Sequence, residues 1–243
     1  TVKVLITGAS SVLGRAIVDT LQRRRHRLRL TDRRRMRSKL DFVQSQLGHG
    51  RQTDTLVAGM KTVVHIPGPM NPETADAAAW LDACTRCTYN LLVSAVEAGV
   101  QHMVYVSSLD AFLGYDPDYL VSPSWRPRPT TSPPVMSPCL GEFVAREFAQ
   151  TAQIRLTIVR LGHLVDADTV GAKDELDPVA IDPRDAAAGI AAAVDETESP
   201  EAYRLFHLQG DFAGARFPAG GRRQLAVELK YDFGRPRGQE QPS

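Results

Sequence analysis

Apolar residues recur along the chain in two alternating rhythms. Short, largely apolar runs at 2–6, 28–31, 62–66, 102–107, 156–161 and 203–208 read as strands. Between them the apolar positions return every three or four residues. Leu13, Ala16, Ile17, Thr20 and Leu21 form one such stripe. Trp80, Leu81, Cys84, Cys87, Thr88, Leu91, Leu92 and Ala95 form another, in a helix predicted over 79–98 that stops at Gly99. Leu140, Phe143, Val144 and Phe148 mark a third, and Asp182-Pro183 starts a helix over 186–194 as N-cap and first-turn proline. This alternation predicts an α/β fold, a doubly wound parallel sheet with helices on both faces. Residues 113–138 break the rhythm with seven prolines, a stiffened loop at the edge where such sheets bind ligands. The pattern weakens after about residue 163, so the expected division is 1–163 as the main domain, 164–233 as a small C-terminal substrate lobe and 234–243 as a frayed tail.

The first strand and helix carry the most specific chemistry. Val2 to Gly14 reads VKVLITGASSVLG: a strand, a tight turn at Gly8 and a helix resuming near Gly14. Free N–H groups at a helix N-terminus attract a diphosphate, so a dinucleotide is the expected guest of a Rossmann-like turn. Asp32 follows Gly14 by 18 residues, at the end of the second strand. A carboxylate there accepts ribose hydroxyls and favours NAD; Arg33 beside it would instead grip a 2′-phosphate and favour NADP. NAD is the expectation.

Composition narrows the classes. The 243 residues carry a net charge of +1 and 43% hydrophobic residues, enough for a full core and too little charge for a general attraction to nucleic acid or membrane. No apolar run approaches a membrane span, and Val2–Ile6 is too short for a leader, so a cytoplasmic setting is expected. The three cysteines fit a reducing compartment. Cys84-x-x-Cys87 lacks a second ligand pair for zinc and falls inside a predicted helix, where two small core residues is the plain reading. No metal is expected. Nine arginines crowd residues 23–37, which by themselves suggest a phosphate or nucleic-acid patch. The near-neutral total charge favours a solvated rim instead.

Six segments in order resemble the short-chain dehydrogenase/reductase superfamily, in its extended or atypical, NAD-dependent epimerase/dehydratase-like branch. The family's TGxxGxxG opening is matched by Thr7-Gly8-Ala9-Ser10-Ser11-Val12-Leu13-Gly14, with Ser11 at the middle glycine. Thr62–His65 resembles its fourth strand, and Tyr89-Asn90-Leu91-Leu92 through Val100 its long helix. Val104-Tyr105-Val106-Ser107-Ser108 resembles the strand bearing its serine, at Ser108. Arg160-Leu161-Gly162 resembles its RPG segment, and Ile181–Ala186 its hVxDxA element. The resemblance and the opening motif together imply a cofactor-binding set of Gly8, Ser10, Ser11, Val12, Leu13, Gly14, Asp32, Arg33, Gln46, Leu47, Ile66, Pro67 and Val106.

The departures concern catalysis. The family's proton chemistry rests on Tyr-x-x-x-Lys, and the residues four before Lys39, Lys61, Lys173 and Lys230 are Arg35, Val57, Thr169 and Ala226; Lys3 has none. In the register set by Gly141-Glu142 the two positions hold Pro134 and Pro138. Ser137 and Pro138 read as N-cap and first turn of the helix there. The family's asparagine falls at Cys84, its adenine-contacting acid at Gln46, and Pro67 stands where it keeps small residues. Ser108 remains the catalytic candidate, with Tyr115 and Tyr119 on the proline-rich loop as relocated donors; Asp110 and His163 lie near the same strand ends. The expected function is a dinucleotide-binding protein without standard redox catalysis, a sensor or scaffold. The alternatives are an active epimerase, dehydratase or reductase with a relocated proton donor, on a small molecule such as a nucleotide sugar, or a non-redox isomerase or cyclase. The family also implies a homodimer through residues 79–98 and 140–152.

Overall fold

The computed structural model describes residues 1–151, 153–171, 174–196, 199–217 and 224–234; the expected tail beyond 234 lies outside the described residues. In chain order the elements are β1 Lys3–Thr7, α1 Val12–Arg23, β2 Arg27–Asp32, β3 Asp41–Gln44, α2 Arg51–Val57, β4 Thr62–His65, α3 Ala77–Cys84, α4 Arg86–Glu97 and β5 His102–Ser108. A short 3-10 helix spans Leu109–Phe112. Then come α5 Pro133–Gln150, β6 Arg155–Leu161, β7 His163–Leu164, β8 Ala180–Ile181, α6 Pro183–Asp195 and β9 Tyr203–Leu208.

The main sheet runs β3-β2-β1-β4-β5-β6-β9, and every neighbouring pair is parallel. Its central strands β1, β4, β5 and β6 are buried on both faces because helices cover both, while β2 and β3 at the edge are partly exposed. Val4, Ile6, Val104 and Val106 face one core with Ile17 and Leu21 of α1 and Ile190 of α6. Leu5, Met103 and Tyr105 face the other, with Leu56 of α2, Leu91 of α4 and Ala145 of α5. The strand order reverses between β1 and β4, and a crevice opens there at the carboxyl ends of the strands. The sheet does not stop at residue 163: β9 pairs with β6, and α6 packs in the same core as α1. The small β7–β8 pair forms a second sheet, with Ile181 of β8 reaching into the main core; among the described residues Ala180, Phe212 and Phe233 make one side cluster and Phe112, Val179 and Phe217 belong to another. Among the described residues no helix is long and apolar enough to cross a membrane.

Two predicted helices differ from the structure. The helix over 79–98 is two helices, α3 and α4, parted at Thr85 (φ −108°, ψ −73°). The Thr85 hydroxyl donates to the Leu81 carbonyl at 2.6 Å, a back-bond that bends helices. Cys84 therefore ends one helix and Cys87 enters the next; both are buried, and burial raises both thiol pKa values, Cys84 to about 12. The core reading of the pair stands; its position inside one helix does not. The helix expected to start at Ser137 begins one turn earlier, at Pro133. Pro133 and Pro134 occupy the first turn, where the missing N–H groups would have no partner. Pro138 lies inside the helix and forgoes a single bond, to the Pro134 carbonyl.

Candidate nucleotide cleft

The β1–α1 turn is built by one glycine and one serine. Gly8 has φ +65°, the left-handed region, and a Cβ there would meet the Ile66 carbonyl oxygen at 2.8 Å. The Ser11 hydroxyl donates to the Gly8 carbonyl (2.7 Å) and accepts from the Gly14 N–H (2.9 Å), so it both closes the turn and caps α1. The Val12 and Leu13 amides remain as first-turn donors without a partner among the described residues. Gly14 touches the turn itself: a Cβ there would lie 2.8 Å from the Ala9 Cα. Asp32 braces the same turn, accepting from the Ser10 N–H and the Arg34 N–H, each at 2.9 Å.

A cavity of about 720 Å³ lies over this turn, within the size range of small-molecule sites. Behind its wall runs a buried chain of polar groups. Thr7 Oγ1 accepts from the Ile66 N–H (3.1 Å) and donates to His65 Nδ1 (2.7 Å). His65 Nε2–H then donates to Thr88 Oγ1 (3.0 Å), which donates to the Cys84 carbonyl (2.7 Å). Burial first, and the nearby Arg33 cation second, hold the His65 pKa at about 3, so the ring is neutral and fixed in this tautomer.

Of the residues expected around the cofactor, Gly8, Ser10, Ser11, Asp32, Arg33, Leu47, Ile66 and Pro67 line this cavity. Five others do not. Val12 is exposed, Leu13 and Val106 are buried in the core under α1, and Gly14 is packed against the turn. Gln46 is exposed, and its carbonyl accepts from the Cys87 thiol at 3.4 Å. Sequence reasoning missed the outer wall, Gly68 to Thr74, and Trp80 beyond it. The signal was present as the proline-punctuated run Pro67-Gly-Pro-Met-Asn-Pro72 directly after a strand. Arg33 points away from an open phosphate site: its guanidinium donates to Cys87 Sγ (3.0 Å) and lies 3.8 Å from Asp82. The arginine cluster, continuous in sequence, is divided by the length of β2. Arg23 to Arg27 lie at the strand's start and Arg33 to Arg37 beyond its end, where Arg34 hydrogen-bonds Asn71 in the cavity wall.

The candidate proton donors do not line the cavity. Ser108 Oγ accepts from the Asp110 N–H (3.1 Å) and caps the 3-10 helix. The Tyr115 hydroxyl donates to the Arg126 carbonyl (2.7 Å), and Tyr119 is exposed beside Trp125. On α5, Pro134 and Pro138 stand one helical turn apart, the spacing the family gives its tyrosine and lysine, and neither can carry a proton. Next to these prolines the Tyr105 phenol donates to the Pro138 carbonyl (3.1 Å). Burial drives its pKa well above the usual value, the wrong direction for an acid at neutral pH.

The Gly141-Glu142 and Arg160-Leu161-Gly162 matches acquire a structural explanation. Arg160 donates through Nε and Nη2 to both Glu142 oxygens (2.8 to 3.2 Å), and its Nη1 donates to the Pro123 carbonyl (3.0 Å). A Cβ on Gly141 would overlap the Tyr105 hydroxyl. The two segments hold α5, β5 and β6 together.

Asp110 and His163 come together with a third group. His163 Nε2 and Nδ1 lie 2.5 Å from carboxylate oxygens of Asp110 and Asp177. These hydrogen bonds, that to Asp110 first, raise the His163 pKa to about 9. An unfolded histidine titrates near 6.5, so this clamp stabilises fully below about pH 6.5 and is lost as pH rises through about 9. Buried His65, His102 and His207, each held at about 3, act oppositely: unfolding lets them charge, so stability falls as pH drops below about 6.5. Melting temperature is therefore expected to peak near pH 6.5–7, with His163→Gln flattening only the alkaline side. An unchanged alkaline slope in that variant would contradict the clamp.

The comparisons with known proteins agree with this architecture. The family model described as the NAD dependent epimerase/dehydratase family matches residues 4–174. A curated relative, the uncharacterized protein YbjS of Escherichia coli (strain K12), is 30% identical over 167 residues, 65% of this chain and 49% of the relative. The chain thus spans about half the length of the curated relative it matches. A short-chain dehydrogenase/reductase superfamily protein from Agrobacterium tumefaciens, solved with bound NAD, superposes with a TM-score of 0.78 at 22% identity, covering 95% of this chain and 93% of that one. MoeE5 in complex with UDP-glucose and NAD gives 0.77 at 16%, covering 94% and 93%. UDP-N-acetylglucosamine 4-epimerase from Bacillus cereus gives 0.76 at 14%, covering 96% of each chain. These likenesses establish the Rossmann-like fold, and with a family model matched across most of its length the chain belongs to the NAD dependent epimerase/dehydratase family.

Proposed function

We propose that this protein binds a nicotinamide dinucleotide, NAD in preference to NADP, and uses it as a signal or structural element rather than in the family's usual redox step. The reading rests on the open turn at Gly8 together with Pro134 and Pro138 at the two positions where the family resemblance puts the proton pair. The residues present fit the cofactor. The space a Cβ would fill at Gly8 is kept clear, the Val12 and Leu13 amides face no protein acceptor, and Asp32 stands at the ribose end. Bound there, NAD would supply a hydride acceptor. This chain's residues would supply the amides for its diphosphate and the Asp32 carboxylate for its ribose. The burial of Arg33 against Cys87 and Asp82 argues against a 2′-phosphate. Against a relocated phenol stand the committed hydroxyl of Tyr115 and the exposed position of Tyr119. Two solved relatives contain NAD, and one of these also holds UDP-glucose. A nucleotide sugar is therefore the ligand class to try as substrate. Exposed Tyr89 on α4 and Leu140 on α5 support the homodimer reading.

Fluorescence titration with NADH and NADPH, followed by incubation with UDP-sugars, tests the proposal. The expected result is saturable NADH binding, at least ~10-fold weaker NADPH binding (about 1.4 kcal/mol) and no oxidation of the bound cofactor. Turnover of any sugar nucleotide would overturn the non-catalytic reading, and tighter NADPH binding the cofactor preference.

A further inference from the structure

A second cavity, of about 400 Å³, lies between α5, residues 126–129 of the proline-rich loop, β6 and β9. It shares no lining residue with the nucleotide cleft. Three arginines line it, Arg126, Arg146 and Arg160, against a single acidic residue, Glu142. Arg160 spends its charge on Glu142, and both groups are more than nine-tenths buried. Arg126 and Arg146 have no acidic partner among the described residues; Arg146 lies over the Phe143 ring, 5.4 Å from its centroid. Tyr203 also lines the cavity, and its hydroxyl makes no hydrogen bond among the described residues. Burial, and next the Glu142 charge, raise the Tyr203 pKa, so this phenol keeps its proton and can only donate or accept as a neutral group.

The lining therefore offers guanidinium forks and a phenolic O–H, while its one carboxylate is already neutralised. Such donors fit an oxyanion that accepts several hydrogen bonds at once, because a guanidinium presents paired N–H groups matched to phosphate oxygens. The Phe143 ring and the adjoining prolines add an apolar wall. We propose that this cavity is a second ligand site, for a small organic phosphate monoester, separate from the dinucleotide cleft. Arg126 and Arg146 clasp the phosphate from the loop and from α5, Tyr203 donates a further hydrogen bond, and Phe143 carries the organic body. The buried Glu142–Arg160 pair forms the floor and sets the position of Arg146 one helical turn along α5.

Phenyl phosphate serves as the probe, titrated into the full chain at low ionic strength by calorimetry. The wild-type protein is expected to bind it saturably. The double variant Arg126→Gln/Arg146→Gln is expected to bind at least ~10-fold more weakly, and Tyr203→Phe roughly 3-fold more weakly. Both arginines are exposed, so the double variant should melt at the wild-type temperature without ligand. Tyr203→Phe, which keeps the ring, provides the second measurement should it not. Gly8→Asp, which blocks the first cleft, should bind phenyl phosphate as the wild type does. The proposal is overturned if no saturable binding occurs, or if all these substitutions leave the affinity unchanged. It is equally overturned if binding disappears in Gly8→Asp and persists in the double variant, which would place the phosphate on the β1–α1 turn.

Discussion

Replacing Gly8 with aspartate is expected to weaken NAD binding at least ~100-fold, about 2.7 kcal/mol. Two separate effects add at this position. A Cβ would come within 2.8 Å of the Ile66 carbonyl oxygen, so the turn or the end of β4 must move. The carboxylate would then stand beside the amides intended for the diphosphate, adding like-charge repulsion to the lost hydrogen bonds. The left-handed backbone alone is a lesser obstacle, since aspartate tolerates φ +65° better than most residues. Gly8→Ala separates the contributions: it introduces the close contact without the charge and should lose less affinity. Calorimetry on both variants, with circular dichroism to confirm folding, reads the difference. Unchanged NAD affinity in Gly8→Asp would remove the diphosphate from this turn.

Glu142→Leu is expected to produce the largest loss of stability, about 3–5 kcal/mol, because Arg160 would remain charged and buried without its counterion. For a chain of this size that is a fall in melting temperature of roughly 10 °C. The Arg160 guanidinium cannot escape easily. It is held by the Pro123 carbonyl and lies 4.7 Å from the centre of the Phe112 ring. Replacing both partners, Glu142→Leu with Arg160→Met, removes the orphaned charge and should recover most of the loss. Thermal melts of the two variants decide the matter. A double variant no more stable than Glu142→Leu would show that the pair's worth lies in packing. The result also bears on what Gly141-Glu142 does here: it ties a helix to two strands.

The strands that form the centre of the sheet were legible because burial on both faces leaves a largely apolar run, as in Val4–Ile6 and Ile158–Val159. Edge elements escaped that signal. Asp41–Gln44 is a four-residue strand with polar ends, and α2 is a seven-residue helix of mostly polar residues, too short to show a period. The break at Thr85 was hidden because the apolar stripe continues across it; only the hydroxyl's back-bond to Leu81 interrupts the helix. The early start of α5 reversed a local rule, since prolines in the first turn cost nothing and extend the helix toward the loop. At the site, Gly8, Ser11 and Asp32 could be placed from spacing within one βαβ unit. The Asp110–His163–Asp177 clamp could not, because its parts lie 53 and 14 residues apart and meet only through the sheet.

A crystal structure of the NAD complex decides whether a diphosphate-binding turn here works without a proton-transfer pair. The diphosphate is expected against the Val12 and Leu13 amides, with no phenol beside an ammonium group at the nicotinamide. A tyrosine and a lysine converging on that ring, from any part of the chain, would rule out the proposed non-catalytic role.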